Sequence, residues 1–186
     1  DSPIGVLLFC PTVISAQQTI TKKSIDKQFE EALSYVSSGN PEKAIPILNK
    51  IKQNSKTINY KSGITKVGYT LAIIYFNSSD YNKVINLQDE YLDIGNQIND
   101  YENISHIHRL KGCAYSELGL LSKGSVEYKQ ALQYAAKIAS NDKRQYALSL
   151  IYSNLANHHM KSSAPQDSIL NNIKKGIAAA EKISDK

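Results

Sequence analysis

Shifted by 40 residues, this chain falls onto itself. Tyr35, Tyr75 and Tyr115 share one column, and Ala32, Ala72 and Gly112 share another three residues earlier. Gly39, Ser79 and Gly119 follow four residues after the tyrosines. Nine residues after them come Ala44, Val84 and Gly124, each preceded by a lysine: Lys43, Lys83 and Lys123. Each column holds one physical type: aromatic, small, loop-forming, small again. A period of this length marks a unit that cannot bury its apolar face alone, so that copies must stack.

Each unit reads as two helices joined by a tight turn. In the second, Leu71, Ala72, Tyr75 and Phe76 form one apolar face at helical spacing. The run "NSSD" breaks that helix, and Asp80 is the expected N-cap of a helix starting near Tyr81. In the first unit "SSGNPEKA" supplies Gly39 to end one helix and Pro41 to open the next, and in the third "SELGLLSKG" puts Gly119 at the same boundary. The small residues mark where the helices of a pair cross, because a large side chain there would force the axes apart. The tyrosines are expected to fill the space between one pair and the next.

A fourth, less regular unit follows, displaced by 44 residues. Tyr152, Leu155, Ala156 and His159 repeat the first-helix pattern, with His159 in the tyrosine's place. "SSAPQD" makes the turn, Pro165 stands at the next helix start, and Ile169, Ile173 and Gly176 continue the second helix. Composition agrees with an all-helical chain: five prolines and nine glycines in 186 residues are too few for a strand-and-turn protein. The formal charge of +5 comes from lysines spread along the chain with no run beyond two, which gives no phosphate-binding stripe. No nucleic acid is expected to bind this segment directly.

These residues resemble the tetratricopeptide repeat, whose pattern runs W-x2-L-G-x2-Y, then A-x3-F, then proline. Leu71-Ala72-x2-Tyr75 matches its first helix. Gly112-x2-Tyr115, Gly124-x3-Tyr128 and Ala131 match both helices of the third unit, and Ala32-x2-Tyr35 with Ala44-x3-Leu48 match the first. The opening tryptophan and closing proline are missing, and the period exceeds the usual 34 residues. The resemblance covers residues 24–182. It implies an all-α, right-handed solenoid of about four helix-turn-helix repeats and about eight helices, with units near 24–57, 62–97, 101–139 and 142–183. Its tyrosine- and lysine-rich long repeats also look like the N-terminal part of membrane-anchored regulators of Bacteroidetes bacteria, which carry an AraC-type DNA-binding domain or a histidine kinase.

The first residues stand apart. Ile4 to Cys10 is an apolar run broken at Pro11, then Val13, Ile14, Ser15 and Ala16 precede Gln17. This matches the end of a secretory signal peptide, with cleavage after Ala16, and makes residues 1–16 a signal remnant. The run is too short to span a bilayer, and Phe9 before Cys10 disfavours a lipoprotein. The competing reading is a buried segment packed on the first helices. Export would place the chain in the periplasm, or outside the cytoplasm on a membrane-anchored parent whose membrane contact lies in other parts. It would also leave Cys113 unpaired, as a small buried apolar residue.

No catalytic motif is present: no GxSxG, HExxH, P-loop or GxGxxG. An enzyme, a cofactor and a metal are therefore not expected. His106 and His108 lie on different helix faces, and His158 and His159 diverge likewise. Glu30–Glu31 and Asp89–Glu90 read as solvated faces among lysines. A binding function fits better, because a stack of hairpins curves and its concave wall is lined by the first helix of each pair. The resemblance implies ligand contacts from first-helix residues that point away from the paired helix. Those are Lys66, Tyr69, Ile73 and Asn77 in the second unit, His106, Arg109, Cys113 and Glu117 in the third, and Ser153, Asn157 and Lys161 in the fourth. Such a mixture suits a protein or peptide partner. The Lys and Asn set of the chaperone-binding carboxylate clamp is not reproduced. The runner-up reading is a homodimerisation module, with an apolar patch at Ile173, Ile177 and Ala178 to Ala180.

Overall fold

The computed structural model describes residues 19–87 and 89–184. The signal-remnant reading of residues 1–16 falls outside them. The described residues form nine helices and no strand: α1 (Lys22–Ser37), α2 (Pro41–Thr57), α3 (Lys61–Asn77), α4 (Tyr81–Ile85), α5 (Asp89–Gln97), α6 (Tyr101–Glu117), α7 (Leu121–Ala135), α8 (Asn141–Lys161) and α9 (Gln166–Ser184). Four pairs result, α1/α2, α3/α4–α5, α6/α7 and α8/α9. The second pair departs from expectation, because its second helix is two helices interrupted after Ile85. None of the helices is long and apolar enough to cross a membrane among the described residues.

Helix ends recur every 20 residues, at half the period visible in the sequence. Gly39, Asn59, Ser79, Asn99 and Gly119 each adopt a left-handed backbone just beyond a helix, with φ of 77°, 53°, 59°, 56° and 73°. The next amide reaches back five residues to close the helix: Asn40 to Tyr35, Tyr60 to Ser55, Asp80 to Tyr75, Asp100 to Gly95 and Leu120 to Tyr115, at 2.7–2.9 Å. This bond satisfies a carbonyl that the helix itself leaves orphaned. Ser163 (φ 52°) makes the same turn before α9, with Ala164 bonding the His159 carbonyl. His159 thus holds the tyrosine position of the other units. The link from α7 to α8 lacks that turn, and Ser140 caps α8 through the Lys143 amide. Asp80 sits at the N-cap of α4 but makes no side-chain cap bond, and its carboxylate pairs instead with Lys83 at 2.6 Å.

Contacts run only between neighbouring pairs. Consecutive first helices lie backbone against backbone (α1 with α3, α3 with α6, α6 with α8), whereas second helices reach one another only through long side chains, as Lys52 and Lys56 of α2 reach Glu90 of α5. One continuous row and one separated row is the geometry of a curved array, with the first helices on its inner wall. The crossing residues are fully buried: Ala32, Ala44, Ala72 and Val84 expose none of their surface. At the third crossing a Cβ on Gly112 would stand 3.1 Å from the Tyr128 ring, and one on Gly124 would stand 3.2 Å from the Gly112 carbonyl. Helix backbones approach here as closely as glycine permits.

The column tyrosines make a contact that the sequence reading did not include, while Tyr35 and Tyr75 also pack against the shared core. Their rings are half-buried, and each lies under a lysine of its own pair's second helix: Lys43 over Tyr35 (5.9 Å), Lys83 over Tyr75 (5.3 Å) and Lys123 over Tyr115 (5.8 Å). They close the turn end of a pair by cation–π contact. Space between pairs is filled by aliphatics such as Leu48, Ile51, Val67 and Ile107.

Candidate binding wall

The eleven groove candidates divide into three sets. Lys66, Tyr69 and Ile73 are half-buried, and Asn77, Glu117, Ser153, Asn157 and Lys161 are exposed. His106, Arg109 and Cys113 are buried, at 2%, 8% and 6% exposure. The reason is the neighbouring pairs: α3 and α8 flank α6 on either side and cover its outward face. Cys113 therefore reaches the wall only as part of the lining of a small cavity. Its thiol accepts from the Tyr128 hydroxyl (3.3 Å), and burial pushes its pKa up. Ser153 also departs from the wall, because its hydroxyl lies 3.5 Å from where a Cβ on Gly176 would stand and so faces α9. Lys66 reaches Asp26 of α1 at 3.4 Å.

What the wall brings together is an aromatic strip and an uncompensated charge. The Tyr69 ring stacks on His106 with centroids 4.9 Å apart and planes at 17°, and Tyr146 meets His106 edge-on at 6.0 Å. Tyr146, 50% exposed, carries this strip to the surface. Burial, and then the Arg109 charge, hold His106 neutral, with its pKa lowered to about 4. Its Nδ1 has no hydrogen-bond partner. Arg109, three residues on and hence on the same helix face, donates through Nη1 to the Asn154 carboxamide oxygen at 2.9 Å. Its field also acts on the Tyr69 hydroxyl and the Cys113 thiol. Its Nε has no partner, and no carboxylate pairs with it among the described residues.

Beyond Arg109 a cavity of about 220 Å³ opens between α6 and α8. Cys113, Asn154, Asn157 and Lys161 lie on its lining, and Glu117 there is bound to Lys161 at 2.5 Å. Its inner end is a hydroxyl–imidazole cluster. Ser116 Oγ donates to the Gly112 carbonyl (2.7 Å), so it accepts from His158 Nδ1 (2.8 Å), and Ser125 Oγ donates to Nε2 (2.8 Å). Burial lowers the His158 pKa, and both nitrogens are satisfied in the neutral ring. With no carboxylate behind the imidazole, the cluster has no base strengthened to activate a hydroxyl; it joins three helices. Among the described residues no three His, Cys, Asp or Glu side chains gather as metal ligands.

Tyr146 and Asn154 were not singled out in the sequence, and His158 was noted there only as diverging from His159. All three sit on α8, where four extra residues shift the register against the other units. A second cavity, about 310 Å³, lies at the break between α4 and α5, beside Lys52, Tyr75, Asn82 and Tyr91. Its one carboxylate is doubly paired: Lys52 (2.8 Å) and Lys56 (2.5 Å) both hold Glu90, whose pKa they lower, and one positive charge is left over. Glu90 is thus an ion-pair hub and not a solvated charge. Asp89 remains exposed.

Comparison with protein-family models, with characterised proteins and with solved structures finds no match to this chain.

Proposed function

We propose that this chain is a non-catalytic, tetratricopeptide-like module that binds a protein or peptide along its inner wall. It would serve as the sensor or assembly part of a larger exported or membrane-anchored regulator, with this segment outside the cytoplasm. The observation that carries the reading is the Tyr69–His106–Tyr146 strip, which runs from buried to half-exposed on the first-helix wall beside the amide- and lysine-lined cavity. Aromatic rings with few torsions, next to amides, give binding area and backbone hydrogen bonds at low entropic cost. Selection of peptides from a random displayed library tests it. A selected peptide should lose at least about 10-fold in affinity with Tyr146→Ala or Asn157→Ala, and nothing with Lys129→Ala on the outer side. If peptides bind equally to all three variants, the inner wall is not the binding face.

A second reading, self-association, is favoured by one feature. α9 exposes Leu170, Ile173 and Ile177 at 40–53%, where the preceding unit carries Val126, Lys129 and Gln133 at the equivalent positions. Ala178 and Ala180 are exposed beside them, while Ala179 is buried against the body of the array and drops out of that patch. Sedimentation of the wild type against Ile177→Lys decides it. A monomer at high concentration sinks the dimer.

A further inference from the structure

We infer that Arg109 anchors a carboxylate-binding site on the inner wall, completed by the carboxamides of Asn154 and Asn157 at the adjoining cavity. This rests on the inner wall being the binding face and adds the chemical class of what it holds. A guanidinium taken out of water costs several kcal/mol unless an anion and further hydrogen bonds compensate. Here the groups next to it are neutral, namely the Tyr69 hydroxyl, the Cys113 thiol, the His106 ring and the Asn154 amide, while Asp100, Glu102 and Glu117 act on that cluster only from a distance. A water molecule could bond the unpartnered Nε, but it could not balance the charge. The nearest carboxylate across the cavity, Glu117, is committed to Lys161.

Charge and size together select the ligand. One uncompensated cation matches one carboxylate, whose two oxygens fit the planar fork of arginine. A phosphate monoester carries about 1.5 to 2 negative charges and would leave an excess facing Glu117. The cavity, about 220 Å³, lies below the roughly 300–1,000 Å³ of sites that enclose drug-sized ligands and cofactors. An acidic side chain, a chain terminus or a small free acid fits. His106 Nδ1, the second unpartnered buried atom, is three residues away on the same face.

The experiment uses the full chain labelled with ¹⁵N and sodium acetate as probe, against sodium chloride at equal ionic strength. Acetate is expected to shift the Arg109 Nε–H resonance saturably and to raise the His106 pKa, since it offsets the Arg109 charge. Arg109→Gln should abolish both effects and Arg109→Lys should weaken binding about 10-fold. Asn154→Leu, which keeps the charge, should also weaken binding and serves if Arg109→Gln does not fold. An Arg109 response no larger with acetate than with chloride, or a full response in Arg109→Gln, overturns the site. Tighter binding of inorganic phosphate than of acetate overturns the carboxylate assignment. A blocked tetrapeptide with one aspartate, compared with its asparagine counterpart, separates the two readings. At least 10-fold preference for aspartate supports a peptide-borne carboxylate, whereas acetate binding without that preference leaves the site standing and counts against the peptide-binding wall.

Discussion

Two charges in this molecule meet opposite fates. Glu90, on the outer side between α2 and α5, is half-buried and held by two lysines of the neighbouring pair. Arg109, on the inner side between α3 and α8, is more deeply buried and is held only by neutral groups, the Asn154 amide first and the Tyr69 hydroxyl and Cys113 thiol beside it. Both regions rest on the same helix stacking and on glycines that let aromatic rings lie against a helix backbone. The Tyr91 ring next to Glu90 lies on Gly68, and the Tyr128 ring below Cys113 lies on Gly112. In the outer region every charge has an ion-pair partner within the chain, although two lysines share one carboxylate. In the inner region Arg109 has no ion-pair partner among the described residues, and that is the feature on which the proposed site rests.

The largest expected effect breaks the comparison at its packing. A Cβ on Gly68 would stand 2.6 Å from Tyr91 Cγ, near the base of a buried ring, whereas one on Gly124 would meet Ser116 Oγ at 3.1 Å. Gly68→Ala should cost about 2–3 kcal/mol and Gly124→Ala about 1 kcal/mol or less in urea denaturation. Equal losses would show that both regions tolerate strain alike.

Acid separates the regions next. His106 has its folded pKa below the unfolded value of 6.5, at about 4, so the unfolded chain binds its proton first and stability falls as pH drops from about 6.5 towards 4. Its packed neighbours are Tyr69, Tyr146 and the Arg109 charge, with Asp100 acting in the opposite sense. The loss between pH 7 and 5 is about 2 kcal/mol for this one group. Glu90, with a lowered pKa, contributes stability that persists above about 4.5 and fades only below it. Denaturation at pH 7 and 5 should therefore show a drop that His106→Gln reduces and Glu90→Gln leaves in place.

At neutral pH the two charges should answer to removal with opposite signs. Glu90→Gln leaves Lys52 and Lys56 without their anion and should cost about 1 kcal/mol, discounted for partial exposure. Arg109→Gln removes a buried, unbalanced cation and should leave the melting temperature unchanged or raise it. A loss above about 1 kcal/mol in Arg109→Gln would mean that its single amide bond and stem packing outweigh its charge.

The smallest effect is a control common to both regions. Ser79 and Ser163 hold left-handed backbones that the equivalent Gly39 and Gly119 adopt without strain. Ser79→Gly and Ser163→Gly should each stabilise by about 0.5 kcal/mol, the relief of roughly 1 kcal/mol of strain less the added entropy of the unfolded chain. A difference between them would show that one turn is less firmly held.

Much of the architecture was legible because a contact repeated in space demands a residue type repeated in sequence. The small columns at Ala32, Ala72 and Gly112 and at Ala44, Val84 and Gly124 are the helix crossings, and Gly39 and Gly119 are the turns. The tyrosine column was visible too, but the lysine eight residues later is its partner, and the two had to be seen together. The break after Ile85 left no mark, since "VINLQDEYL" contains neither glycine nor proline. Burial of His106 and Arg109 was equally hidden, because in an isolated hairpin these positions face water; for Cys113 the sequence offered both a buried and a groove-facing reading.

The order and pairing of the helices, their turns and their narrow crossings follow from residue types that act within one hairpin, and a linear chain records such local demands directly. Which outward side chains stay wet is decided between hairpins, by how α8 lies across α6 after its four-residue shift. Burial depends on the distance of every other atom, and that sum exists only once the units have stacked. It is there that Arg109 loses its water without gaining a counter-ion.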